Sequence, residues 1–251
     1  MNLRAKLVLP GLVTVAAFAG EAPRTPSIPV EPIAKKLELL FADDFQGPTH
    51  DKRWHRVVDT FAFEPGALKG TQTRDKEIPA ANGKPAVPAH AAVFGLELPT
   101  KDSVVEVKLR LAGATRMDVE FDDRKFTGSH YGHLCRAIVA LNGVTIMDER
   151  DGSQNEAIKA LRADPTKKAE VARLMAGKSA TFPGTYEAGK TYTFTVETVG
   201  EEMRASIDGK AVGYLKSPGI GHPTKSKIEL GVSGKDGYFE DIKVWNAESA
   251  K

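Results

Sequence analysis

Asp118, Glu120 and Asp122, in the stretch MDVEFDD, are the first residues of this chain whose spacing could do chemistry. A strand sends successive side chains to opposite faces. The three carboxylates then share one face, and Met117, Val119 and Phe121 share the other. A row of acids can cleave a glycosidic bond, hold a cation, or keep one side of a sheet wet. Alternation predicts that the apolar trio is buried and that the acids line the opposite, wetter face.

Histidines form the second candidate group. SHYGHLCR holds His130, Tyr131, His133 and Arg136, while His90 opens the apolar stretch HAAVFGLEL. Histidine serves as acid, base or metal ligand near neutral pH. His90 and His133 are expected to share a pocket, with Arg136 on the same side as a donor to an anion or hydroxyl. Positions 133 and 136 fall on opposite faces of a regular strand, so this needs an irregularity near Leu134. A third group, Asp148, Glu149 and Asp151 in MDERDG, carries oxygen ligands that suit structural calcium. Its spacing fits no defined loop, so an acidic turn is the competing reading. Cys135 is the only cysteine, which excludes an internal disulfide, and its apolar neighbours predict a buried, inert thiol.

The elements that must position these groups are mostly strands. MNLRAK followed by LVLPGLVTVAAFA has the basic and apolar regions of a secretory signal, with cleavage expected after Ala19 and Ala22 as the alternative site. An uncleaved anchor is the other reading. The chain carries 35 Lys+Arg and 33 Asp+Glu, and cleavage would remove Arg4 and Lys6, leaving no net charge. Nothing then favours nucleic acid, which needs a basic patch, and no transmembrane span is expected in the mature chain. Residues 20–36 hold four prolines and read as a flexible leader. From residue 37 strand patterns recur at short spacing, with hairpin turns at Asn142-Gly143 and Asp208-Gly209. Residues 153–178 break the rhythm as a short helical insertion, with Val171, Leu174 and Met175 at helical spacing. A dozen short strands over 37–247 predict an all-β sandwich or jelly roll.

The succession LLFADDF, GALKG, VEVKLRL, IDGKAVG and IELGVSGKDGYFEDIKVW resembles the 3-keto-disaccharide hydrolase domain family, a group of concanavalin A-like jelly rolls. The resemblance implies two antiparallel sheets, one concave, closed by pairing of residues 37–45 with 238–247. It implies an exported protein, secreted or periplasmic, that binds or cleaves a saccharide in the concavity. Asp118, Glu120 and His133 are then the expected catalytic groups, and His90, Asp122, Arg136 and Trp54 the substrate-binding ones. Trp54 is read as a rim aromatic or as packing, and Trp245 as core. In family-16 glycoside hydrolases of the same architecture the catalytic strand reads E-x-D-x-E; here the spacing matches and the residue order does not. The alternative functions are a non-catalytic interaction domain at the cell envelope and a metal-dependent enzyme using the histidines.

Overall fold

The computed structural model describes residues 25–47, 50–58 and 60–251. The expected signal sequence and its cleavage point lie outside them. In chain order the strands are β1 (Ala34–Asp43), β2 (Trp54–Arg56), β3 (Phe61–Glu64), β4 (Ala67–Gly70), β5 (Ala92–Thr100), β6 (Ser103–Leu111), β7 (Ala114–Asp122), β8 (His133–Ala140) and β9 (Gly143–Asp148). After two helices, α1 (Glu156–Arg162) and α2 (Lys168–Met175), come β10 (Ser179–Pro183), β11 (Thr191–Val199), β12 (Glu202–Ile207), β13 (Lys210–Lys216), β14 (Lys225–Gly234) and β15 (Gly237–Ser249).

The strands form two antiparallel sheets. One runs β13-β12-β11-β6-β15-β4-β3, with β1 also paired to β15; the other runs β10-β9-β8-β7-β14-β5-β2. Period-2 patterning sends Val105, Val107 and Leu109 of β6 inward, with Phe194 and Val196 of β11. They meet Met117, Val119 and Phe121 of β7 and Ile228, Leu230 and Val232 of β14 in one buried cluster. Phe121 has no exposed surface. Phe121→Ala is expected to cost about 3–5 kcal/mol by leaving a cavity. Urea denaturation checks this, and an unchanged midpoint would put the ring outside the core.

The expected closure is present: β1 pairs with β15, Phe41 opposite Val244 and Asp43 opposite Ile242. The helical insertion is also present. Asn155 caps α1 by accepting from Ala157 N and Ile158 N at 3.1 and 3.2 Å.

Two expectations are corrected. The fold begins before residue 37, because the end of the leader is latched to the eight-stranded sheet. Ile33 and Ala34 donate to Glu197 Oε2 at 2.7 and 3.1 Å, and Arg204 donates to the carbonyls of Pro29 and Val30 at 3.0 and 2.8 Å. Arg204 also pairs with Glu197, and both are buried. Trp245 is not core. It lies half-buried on the outer side of β15, with Lys36 Nζ 3.8 Å above its ring.

Candidate functional site

The carboxylate strand β7 lies inside the seven-stranded sheet, between β8 and β14. Register sets its outward neighbours. Glu120 stands opposite Arg136 on β8 and Glu229 on β14; Asp122 stands opposite His133 and Lys227. The irregularity expected near Leu134 is a bulge, where the register passes from Cys135 to His133. It lets His133 and Arg136 reach the same acid. Two glycines open the surface. A Cβ on Gly231 would sit 2.4 Å from Asp118 Oδ1, and one on Gly95 would sit 2.2 Å from the His55 ring. Asp118 therefore lies across β14, and His55 lies across β5.

The acids are not on a wet face. Asp118, Glu120 and Asp122 are 4%, 3% and 0% exposed. Alternation placed them on the side away from the core correctly, but cationic side chains of the flanking strands fold over them. Arg136 Nη2 donates to Glu120 Oε1 at 2.7 Å and its Nε to Glu149 Oε2 at 2.8 Å, while Nη1 lies 3.8 Å from Asp118. His133 Nδ1 lies 2.6 Å from Glu120 Oε1 and 3.0 Å from Asp122 Oδ1. Lys227 Nζ lies 3.0 Å from Asp122 Oδ2 and also bonds Glu229.

This packing sets the protonation preferences. Burial opposes the charge on His133, but hydrogen bonds to Asp122 and Glu120 push its pKa to about 11. Burial likewise opposes the charge on Arg136, and the surrounding carboxylates hold its proton well above the usual range. Burial raises Glu120 well above the ordinary carboxylate value, with Arg136 pulling the other way. Burial raises Asp118 and Glu229 too. Asp122 moves down: burial opposes this, but His133 and Lys227 outweigh it.

A more open rim surrounds this floor. Arg124 Nη2 donates to His55 Nε2 at 2.9 Å, and His55 Nδ1 faces Glu97 Oε1 at 3.4 Å. A guanidinium only donates, so Nε2 carries no proton and His55 is neutral. Burial lowers its pKa in the same direction. On the other side Tyr131 is 77% exposed, with φ 50°. Its ring centroid is 4.3 Å from that of His130, which is 6.1 Å from that of His133.

Not every expected site residue joins this group. His90 is exposed and donates from Nδ1 to the carbonyl of Ala91 at 2.7 Å. It precedes β5, whose first residue is level with Val232 of β14, whereas Asp122 and His133 are level with Lys227. Those levels are roughly 16 Å apart along the strand. His90 and His133 therefore share no pocket. Trp54 is buried among Phe41, Phe45 and Phe94, and its Nε1 donates to Asp43 Oδ2 at 2.8 Å. It packs rather than lining a rim. Asp148, Glu149 and Asp151 do not gather as a calcium loop. Asp148 accepts from Ser217 Oγ, Gly219 N and Asp151 N; Glu149 faces Arg136; Asp151 pairs with Arg150. Cys135 is buried, and burial raises its pKa to about 12.

His55, Lys227 and Glu229 were missed. The alternation in KIELGVSG places Lys227 and Glu229 on one face and was the available signal. Glu120, His133 and Glu229 present ligand atoms within 4.8 Å of one another. Among the described residues no helix is long and apolar enough to cross a membrane.

No family model and no curated protein matches the chain. Solved structures do. The endo-β-1,3-glucanase from Pyrococcus furiosus is 10% identical, with a TM-score of 0.55 over 88% of this chain and 100% of that one. A non-specific endo-β-1,3(4)-glucanase from family GH16 is 12% identical, at 0.52 over 90% and 96%. The carbohydrate binding module CBM66 from Bacillus subtilis is 14% identical, at 0.50 over 77% and 96%. The chain is a jelly-roll β-sandwich. At these identities the likeness is one of jelly-roll architecture, and the buried charged face stands on this chain's own residues.

Proposed function

We propose that this jelly roll is an exported, saccharide-directed protein that takes its ligand on the outer face of the seven-stranded sheet. The observation that carries the reading is the layered face itself. A floor of buried, mutually paired acids and cations is bordered by groups open to solvent: Tyr131, His130, His55, Arg124 and Glu97. Sugars are bound by such combinations, an aromatic ring under the apolar side of the pyranose and fixed charged donors and acceptors at its hydroxyls. Tyr131 supplies the ring, in the left-handed backbone region that few non-glycine residues adopt. The names of the structural neighbours, a carbohydrate binding module and glucanases, support the same direction. The sequence resemblance to 3-keto-disaccharide hydrolases favours a short glycoside as that ligand.

Cleavage is the second reading, and one observation favours it. Glu120 and Glu229 present carboxyl oxygens within 4.8 Å. Retaining glycosidases hold their two carboxyls about 5–5.5 Å apart. Asp118 and Asp122, about 13 Å apart at Cα by strand geometry, do not fit that role. Glu120, raised by burial, would be the acid.

A glycan-array screen of the chain from Gly20 onward, followed by calorimetric titration of any hit, tests the proposal. Binding is expected, with Tyr131→Ala weakening it about tenfold, the scale of a lost ring contact, at an unchanged melting temperature. A folded chain that binds no saccharide would overturn the reading. Product formed by the native chain and none by Glu120→Gln would select cleavage.

A further inference from the structure

The geometry points to a divalent transition-metal site on the same face, with Glu120, His133 and Glu229 as ligands and Asp122 beside them. The inference stands whether or not a saccharide binds there. It starts from the crowding at His133, whose Nδ1 lies 2.6 Å from Glu120 Oε1 and 3.0 Å from Asp122 Oδ1. A ring nitrogen bears at most one hydrogen, so it cannot donate fully to both oxygens. Two ligands at right angles on an ion with bonds of about 2.1 Å lie about 3 Å apart, the spacing between His133 Nδ1 and Asp122 Oδ1; the 2.6 Å contact with Glu120 must open slightly as an ion replaces the shared proton. Glu229 closes the group from the neighbouring strand, its oxygen within 4.8 Å of the other two ligand atoms. Opposite ligands of such an ion stand about 4.2 Å apart, so a small side-chain rotation completes the set.

Charge balance points the same way. Five buried carboxylates, those named above with Asp118 and Glu149, face the cations of Arg136, His133 and Lys227. As a ligand His133 gives up its proton, so with all five acids ionised the cluster carries an excess of three negative charges, which one divalent ion lowers to one. A separate observation concerns Asp122, whose side chain is fully buried. Its Oδ2 accepts no hydrogen bond, and Lys227 Nζ, 3.0 Å away, lies outside hydrogen-bond alignment. Lys227 has somewhere to go when an ion enters, because its ladder neighbour on β5 is the part-exposed Glu97. One imidazole among carboxylates suits first-row ions such as Mn²⁺ or Zn²⁺; Ca²⁺ takes six to eight oxygens.

The full chain, stripped with chelator, is dialysed separately against Mn²⁺, Zn²⁺, Co²⁺ and Ca²⁺ and its metal content measured. The expected result is about one Mn²⁺ or Zn²⁺ per chain, a raised melting temperature, and a visible Co²⁺ absorption band. Glu229→Gln and His133→Gln should each weaken uptake at least about tenfold, the scale seen when metal-site residues are changed. His90→Ala, at the far end of the sheet, should leave uptake unchanged. If His133→Gln fails to fold, Glu229→Gln decides alone. No stoichiometric uptake, uptake of Ca²⁺ only, or uptake undiminished in Glu229→Gln would overturn the site.

Discussion

Arg136→Met is expected to destabilise the protein by about 3–5 kcal/mol, the cost of removing one partner from a buried ionic cluster. The guanidinium serves three acids at once: Glu120, Glu149 and, at longer range, Asp118. Each of the three has almost no exposed surface, so water cannot replace the lost donor. Methionine fills the volume, which isolates the charge effect from a cavity. Arg136→Lys should recover only part of the loss, because an ammonium cannot offer the two forked donors that Glu120 and Glu149 accept. The sign of the pH dependence is a further check. Orphaned acids hold their protons more tightly in the folded state than in the unfolded chain, so their ionisation above about pH 4 disfavours folding. The deficit of Arg136→Met should therefore narrow as pH falls through the carboxylate range. Urea denaturation at several pH values reads both effects. A variant as stable as the native chain would mean that the acids are solvated after all.

Deleting residues 238–251 is expected to abolish folding outright. β15 is an interior strand: β6 flanks it on one side, and β1 and β4 share the other. Phe239, Ile242 and Val244 on its inner face have no exposed surface. The deletion removes them and leaves β6 and β1 with unpaired edges, so backbone groups and core lose their partners together. Thermal melting followed by circular dichroism should show no cooperative transition. A truncated chain that melts like the native one would make β15 an appendage.

Much of the fold was legible because period-2 patterning is a local signal. β6, β7 and β11 alternate so regularly that their inner faces could be assigned residue by residue, and the two hairpin turns and the helical insertion were marked by their own residues. β10 was missed because Ser179–Pro183 is short and ends in proline. The latched leader was missed because its prolines read as disorder, while the residues that hold it, Glu197 and Arg204, lie far along the chain. The site was half legible. Alternation put Asp118, Glu120 and Asp122 on one face but could not tell whether that face was wet, since their burial depends on Arg136, His133 and Lys227 arriving from adjacent strands. The pairing of His90 with His133 failed for a related reason. Both are near strand ends, and only register reveals that those ends lie at opposite ends of β14.

The central claim is that ligand meets the outer face of the seven-stranded sheet at β7, β8 and β14. Its most direct test is an amide chemical-shift map of the isotope-labelled chain during titration with a saccharide found by the array. The account predicts shifts clustered at Glu120, the Tyr131 turn, Arg136 and Glu229, extending to His55 and Arg124. Shifts confined to the eight-stranded sheet, or to the exposed loops around His90, would contradict it.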